Sequence, residues 1–172
     1  ANMIQYLAEY LRIGLSNGAD LIPLSSEIRH ANAYVRLMNQ RFGQSIRFMY
    51  HLAPGLSHHL IVKTILQPLV ENSIKHGFGV DSPGIPISTP AIEVIITAEE
   101  DELWININGS GFEPSELDEL LKKSSTAKGG HVGILNVYQR LTAYYGAEKV
   151  YISFSSTPYY CNVISIRIPL GS

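Results

Sequence analysis

Four polar residues in one short stretch carry side chains that could take part in chemistry. Glu71, Asn72, Lys75 and His76 supply a carboxylate, an amide, an amine and an imidazole. In a helix of about 3.6 residues per turn, Glu71 and Lys75 lie one turn apart, and Asn72 and His76 form a second such pair beside them. A purely structural helix has little use for that combination. The pattern therefore predicts a functional surface at this point of the chain.

The helix that must position these side chains has a mostly apolar opposite face. We expect it to run from about residue 58 to residue 76, after which Gly77 permits the chain to turn away. Taken alone, His76 has a second interpretation, a cation that interacts with the dipole at the helix end. The residues that share the other face are Leu66, Leu69, Val70, Ser73 and Ile74.

A glycine cluster further along the chain has the context of a phosphate site. Gly129, Gly130 and Gly133 stand at the start of an apolar-periodic stretch that predicts a helix over about 132–146. Exposed backbone N–H groups at a helix start, together with the helix dipole, favour anions. The chain contains neither a GxxxxGK[ST] nor a GxGxxG run. The small residues of 124–130, with Lys128 among them, have the composition of a mobile lid.

Composition limits the class of protein. The 172 residues are 45% hydrophobic and 16% charged, which suits one folded domain with a small helical appendage. A net charge of −2 gives no electrostatic argument for nucleic acid, and no apolar run is long enough to span a bilayer. The single Cys161 cannot form an internal disulfide and suits a reducing compartment. The chain begins within a helical pattern, as a segment of a longer protein would.

The N-terminal part predicts two consecutive amphipathic helices. Apolar residues recur three or four apart from Ile4 to Leu15, and a second helix opens after Pro23 with Ser25 or Ser26 as its N-cap. Gly43 ends that helix. The pair forms either a hairpin that packs on a partner or a cover for this domain's own sheet, and the pattern does not choose between them.

The rest of the chain mixes strands with helices. Alternating residues predict a strand at about 46–50, a hairpin of 92–97 with 103–107 around an acidic tip, and a closing antiparallel pair at 150–154 and 163–168. A short helix is expected at 114–123. Because strands and helices do not alternate strictly, the order favours an α+β fold over a doubly wound sheet.

Three motifs in order resemble one protein family. Residues 65–77, with the wording Leu-Gln-Pro-Leu-Val-Glu-Asn, resemble the N box of the Bergerat-type ATPase domain, and specifically that of LytS/YesM-type sensor histidine kinases. Residues 130–141 resemble its second glycine box, and residues 27–42 resemble the segment joining the dimerisation helices to the ATPase domain. The resemblance implies a two-layer α/β sandwich, with truncated dimerisation helices in 1–43 and an ATP-binding catalytic domain in 44–172.

The resemblance also implies roles for individual residues, with ATP and Mg²⁺ as cofactors. Asn72 corresponds to the Mg²⁺ ligand, since an amide oxygen is a hard donor, and Glu71 to the residue that acts as base or holds water around the metal. Lys75, His76 and Lys128 correspond to residues near the phosphates. The full set implied for ATP binding is Asn72, Lys75, His76, Asn108, Gly109, Gly111, Lys128, Gly130, His131, Gly133 and Asn136.

The first glycine box departs from the family. The family wording is Asp-Asn-Gly-x-Gly, in which the Asp accepts a hydrogen bond from the adenine amino group. Aligning residues 108–111 on the last four positions puts Ile107 in place of that Asp. An unpaired buried amino group costs roughly 1–3 kcal/mol, about one or two orders of magnitude in affinity.

The function that follows is the ATP-binding domain of a two-component sensor kinase, which supplies the γ-phosphate for a histidine absent from this chain. The resemblance implies a homodimer through the N-terminal helices, a cognate response regulator, and a location on the cytoplasmic side of a bacterial inner-membrane protein. Because of Ile107, a degenerate kinase domain that signals with weak or no ATP binding is the alternative. A different Bergerat-type ATPase, of the anti-sigma or chaperone kind, is a second alternative.

None of the chain's histidines has the family's phosphoacceptor context. They are His30, His51, His58, His59, His76 and His131.

Overall fold

The computed structural model describes residues 3–15, 20–43, 45–74, 91–108, 132–157 and 160–171. They form two layers, a five-stranded sheet and a group of helices packed on one of its faces. A short 3₁₀ turn, Ala147–Lys149, follows the last helix. In chain order the elements are α1 (Met3–Gly14), β1 (Leu21–Pro23), α2 (Leu24–Phe42), β2 (Arg47–Leu52), β3 (Leu60–Val62), α3 (Leu66–Asn72), β4 (Ala91–Glu99), β5 (Glu102–Asn108), α4 (Val132–Tyr145), β6 (Tyr151–Thr157) and β7 (Tyr160–Pro169).

The large sheet has the strand order β2-β4-β5-β7-β6. Only β2 and β4 are parallel, and the other neighbours are antiparallel, including the expected β4–β5 and β6–β7 pairs. Alternate residues of β4 and β5 are buried against the helices, as a sheet covered on one side requires. The mixed sheet confirms the predicted α+β class. Among the described residues, no helix has both the length and the apolar character to cross a membrane.

The two N-terminal helices differ in what covers them. The first half of α2 contributes Leu24, Ile28 and Ala31 to the same hydrophobic core as the sheet. By contrast, α1 packs on α2 with one side and leaves an apolar stripe exposed, including Ile4 at 74% and Leu15 at 69%. The first half of α2 thus covers this domain's own core, while the packing of α1 on a partner stays a prediction.

The predicted helix over 58–76 is wrong in its first half. Residues 60–62 form the short strand β3, which pairs antiparallel with β1, and α3 begins only at Leu66. Thr64 has φ of 63°, which ends the strand and is incompatible with a continuous helix. The local periodicity does not predict β3, because the strand with which residues 60–62 pair, β1, is far away in sequence.

The predicted cap of α2 is also wrong. The helix begins at Leu24 with Pro23 as N-cap, whose φ of −61° suits a helix entry, and no side chain caps it. Ser26 instead accepts a hydrogen bond from Arg29. At the other end, Gly43 has φ of 62° and closes the helix as predicted. The predicted helix at 114–123 and the lid-like residues 124–130 lie outside the described residues.

His30 gives the fold a predictable response to acid. Its ring is 3% exposed, lies 4.8 Å from the ring of Tyr10, and has no hydrogen-bond partner for Nε2 among the described residues. Burial lowers the pKa of His30 below its ordinary value of 6.5. Below pH 6.5 the unfolded chain therefore binds the proton first, and the free energy of unfolding falls as the pH decreases towards the lowered pKa.

We expect His30→Phe to reduce this loss of stability between pH 7.5 and pH 5, because phenylalanine has no proton to bind. Urea unfolding at the two pH values measures the difference, with the exposed His58 replaced by glutamine as the control. An unchanged pH dependence in His30→Phe would show that another group is responsible.

Candidate functional site

The candidate site lies where the end of α3 meets the start of α4. Gly133, the second residue of α4, lies directly against the amide of Asn72. A β-carbon placed on Gly133 would lie 2.9 Å from Nδ2 of Asn72 and 3.5 Å from its Oδ1. Glycine is therefore what allows α4 to approach Asn72 so closely.

Asn72 is buried in a way that suits a ligand. Its side chain is 5% exposed, and Nδ2 has no hydrogen-bond partner among the described residues. A buried amide left without a partner costs free energy, which a ligand can recover. Because the two ends of an amide are interchangeable by a flip, the same position can present an oxygen to a cation. The residues present thus fit a Mg²⁺ ion with a phosphate group.

Glu71 lies on the neighbouring side of α3 and is only partly buried. Gln67, one turn earlier, donates from Nε2 to Oε2 of Glu71 at 3.0 Å and so orients the carboxylate. Two phenols of the N-terminal helices also lie within the field of this carboxylate. Burial raises the pKa of Tyr34 and, to a lesser degree, that of Tyr10, and the negative charge of Glu71 raises both further.

The rest of α3 is held by packing. Leu66, Leu69 and Val70 are at most 1% exposed and belong to the core cluster. Ser73 is fully buried and donates from Oγ to the carbonyl oxygen of Leu69 at 3.0 Å. The apolar face predicted for this helix is therefore confirmed, and it fixes the rotation that points Asn72 at α4.

The remaining predicted site residues are only partly brought together. Asn136 lies one turn beyond Gly133 on α4 with an exposed side chain. Asn108, at the end of β5, donates from Nδ2 to Glu93 at 3.2 Å, and Glu93 pairs in turn with His51 at 3.1 Å. Its side chain is therefore engaged on the sheet's open face, away from Asn72. Seven predicted residues lie outside the described part: Lys75, His76, Gly109, Gly111, Lys128, Gly130 and His131.

Ile107 points to the opposite side from Asn108. Its side chain is fully buried on the helix-covered face, and it pairs across the sheet with Val94 and Ile164, both also fully buried. Leu103 and Ile105, which precede it at alternate positions of β5, are fully buried on the same face. Among the described residues, the end of β5 thus presents an apolar side chain to the helix layer, at the position where the resemblance predicts a carboxylate.

Two residues that were not predicted to belong to the site hold the start of α3. They are Glu27 of α2 and Arg140 of α4, which donates to the carbonyl oxygens of Lys63 and Thr64. Glu27 of α2 is fully buried and accepts hydrogen bonds from the backbone N–H groups of Thr64, of Ile65 at 2.8 Å and of Leu66 at 2.9 Å. Burial raises the pKa of Glu27, while the three N–H donors and the charge of Arg140 act in the opposite direction. Spacing could not reveal this contact, because it joins residues 37 to 39 positions apart.

A cavity of about 360 Å³ lies at the other end of α4 from Gly133. It includes neither Asn72 nor Gly133, so it is separate from the candidate site. The residues that line it are Asp20, Val62, Lys63, Thr64, Arg140, Ala143 and Tyr144.

Comparisons with known proteins agree on one family. Residues 58–172 match the family described as "Histidine kinase-, DNA gyrase B-, and HSP90-like ATPase", and residues 1–46 match "Histidine kinase". An "uncharacterized sensor-like histidine kinase" of Staphylococcus epidermidis is 31% identical over 84% of this chain and 28% of its own length. Sensor protein LytS of Bacillus subtilis is 28% identical over 98% of this chain and 28% of its own length.

Solved structures agree on the fold. The nucleotide-free catalytic domain of the histidine kinase ThkA superposes with a TM-score of 0.59 at 14% identity, covering 87% of this chain and 94% of that one. The histidine kinase AdeS of Acinetobacter baumannii gives a TM-score of 0.63 at 11% identity, with coverages of 98% and 77%. The sequence matches to sensor kinases do not favour the anti-sigma or chaperone-type ATPase, nor the degenerate signalling module.

Proposed function

The chain belongs to the histidine kinase-, DNA gyrase B- and HSP90-like ATPase family, as the ATP-binding catalytic domain of a sensor histidine kinase, and we propose that α3 and α4 hold Mg²⁺ and the phosphates of ATP between them. The observation that carries this proposal is the contact between the buried amide of Asn72 and Gly133. It places a hard oxygen or amide donor beside the start of a 14-residue helix, where backbone N–H groups favour anions.

Within this proposal several of the predicted site residues have a defined role. Asn72 turns its amide oxygen towards Mg²⁺, which when bound neutralises charge on the phosphates. The backbone at Gly133, and by resemblance at Gly130, receives phosphate oxygens. Glu71, oriented by Gln67, either takes the proton of the attacking group or holds water near the metal. By resemblance alone, we assign Lys75, His76 and Lys128 to further contacts with the phosphates.

The chain spans between 25% and 32% of the length of the curated relatives it matches. We propose that the whole protein transfers the γ-phosphoryl group of ATP to a histidine outside this chain, from which a response regulator takes it.

We assign residues 1–43 to dimerisation helices and 44–172 to the catalytic domain. The exposed apolar stripe of α1 supports a homodimer. A bacterial inner-membrane protein with this domain on its cytoplasmic side is the location we propose.

Phosphoryl transfer tests this proposal most directly. With γ-labelled ATP, we expect the whole protein to become labelled on histidine and this chain alone to remain unlabelled. Glu71→Gln keeps the size and the position of the side chain but removes its basic oxygen. We therefore expect that variant of the whole protein to bind ATP normally and to label at least about a hundredfold more slowly.

The control for that experiment is Glu148→Gln, since Glu148 is an exposed carboxylate on the 3₁₀ turn after α4. It should label at the wild-type rate. Histidine labelling of the isolated chain, or full activity of Glu71→Gln, would refute the assignment of these roles.

A further inference from the structure

The start of α3 is fixed from two sides by side chains of other helices. From α2, the fully buried Glu27 accepts hydrogen bonds from the backbone N–H groups of Thr64, Ile65 and Leu66. The first N–H groups of a helix have no partner within it, and a local side chain usually caps them. Here no local side chain does so, and a carboxylate from the N-terminal pair of helices takes that place.

The second side is held by Arg140 of α4. Its Nη1 donates to the carbonyl oxygens of Lys63 and Thr64, both at 3.0 Å. Thr64, between the two contacts, has φ of 63°, a conformation that β-branched residues rarely adopt. Glu27 therefore binds the N–H group of Thr64 and Arg140 binds its carbonyl group, so both side chains contact one strained residue.

Helices α3 and α4 also meet at the other end of α3. The helix is only seven residues long, about 10 Å, so a displacement of its start is carried to its end. At that end, Asn72 lies against Gly133, which belongs to the same helix as Arg140. The separation of Asn72 from α4 thus depends on how the junction at Thr64 is held.

We propose that Glu27 and Arg140 are positioning residues that set Asn72 against Gly133 and so couple helix α2 to the Mg²⁺–ATP site. The proposal rests on the function proposed above. A shift of α2 changes the contact of Glu27 with the start of α3, and the change reaches Asn72 through the packed helix. The site then responds to a shift of α2 through Glu27 and the packed helix α3.

Two measurements on Glu27→Gln test the coupling. Glutamine has one acceptor oxygen and an NH₂ group that faces N–H donors, so it cannot accept all three hydrogen bonds. In the ¹⁵N-labelled chain without ligand, we expect the side-chain amide signal of Asn72 to move. In ATP titrations, we expect the ratio of Kd measured with EDTA to Kd measured with Mg²⁺ to fall about tenfold. A role in stability alone would leave this ratio unchanged.

Three further variants keep the result interpretable. Arg140→Met removes the second contact from an exposed position, so it tests the proposal even if Glu27→Gln folds poorly. Ile28→Val removes one buried methyl group next to Glu27, and Gln139→Ala truncates an exposed neighbour of Arg140. We expect Arg140→Met to behave as Glu27→Gln does, and both controls to match the wild-type chain.

The outcomes separate this inference from the proposed function. If the wild-type chain shows no Mg²⁺-dependent ATP binding, the proposed function fails, and the Asn72 signal of the free chain still decides the coupling. An Asn72 signal that stays in place in both Glu27→Gln and Arg140→Met, or that moves equally in Ile28→Val, would overturn the inference.

Discussion

Ile107→Asp is expected to bind ATP about ten- to hundredfold more tightly than the wild-type chain. Ile107 lies one residue before the end of β5, fully buried on the helix-covered face, where the resemblance predicts a carboxylate that accepts the adenine amino group. An isoleucine leaves that amino group without a partner, and the aspartate restores the acceptor. Calorimetric titration of both chains with MgATP measures the gain.

If the aspartate accepts a hydrogen bond from the adenine amino group, the gain in affinity must be limited to nucleotides that carry this group. Inosine triphosphate lacks that group, so its affinity should be the same for Ile107→Asp as for Ile107→Ala, which opens the same space without an acceptor. The aspartate also replaces a side chain packed between Val94 and Ile164, so we expect the free variant to unfold about 2–5 kcal/mol more easily. Equal gains for both nucleotides would contradict the adenine assignment.

Asn72→Ala is expected to lower the affinity for MgATP about a hundredfold while leaving the free chain as stable as before, or about 1 kcal/mol more stable. The two effects differ because Nδ2 of Asn72 is buried with no hydrogen-bond partner among the described residues of the free chain. Removing it relieves an unsatisfied group but takes away the proposed Mg²⁺ ligand. Urea unfolding and MgATP titration of the same preparation measure both quantities.

Gly133→Ala is the matched variant for this prediction, since it displaces the same amide without removing it. Its β-carbon would lie 2.9 Å from Nδ2 of Asn72, which must move. We expect an affinity loss of about tenfold with little change in stability, because the clash meets the end of a side chain and alanine favours the helix. If Asn72→Ala lost stability and kept its affinity, Asn72 would be a structural residue only.

The sequence was sufficient for the parts of the site that depend on local periodicity. The apolar face of α3 places Leu66, Leu69 and Val70 in the core, and that alone points Asn72 away from them. Strand alternation likewise puts Ile107 on the buried face of β5 with Ile105. In both cases the repeat of the secondary structure, about 3.6 or 2 residues, decides the direction of a side chain.

The parts that the sequence did not reveal depend on distant pairing. Residues 60–62 are apolar enough for either a helix or a strand, and only β1 makes them a strand. Glu27 stands in the first turn of α2, where an acid usually favours its own helix, although its carboxylate caps a different helix. Asn108 is a predicted site residue, and its amide donates to Glu93 on the adjacent strand, a contact that spacing does not predict. Such contacts are decided by tertiary structure rather than by spacing.

The most direct test of the central claim is an NMR titration of the ¹⁵N-labelled chain with MgATP. The account predicts that the side-chain amide of Asn72 and the backbone amide of Gly133 shift together and saturate, and that EDTA reverses the shifts. Signals of the separate cavity near Arg140 and Tyr144 should move less. If Asn72 and Gly133 do not respond, or respond equally to ATP with EDTA, the site between α3 and α4 is not where Mg²⁺ and ATP bind.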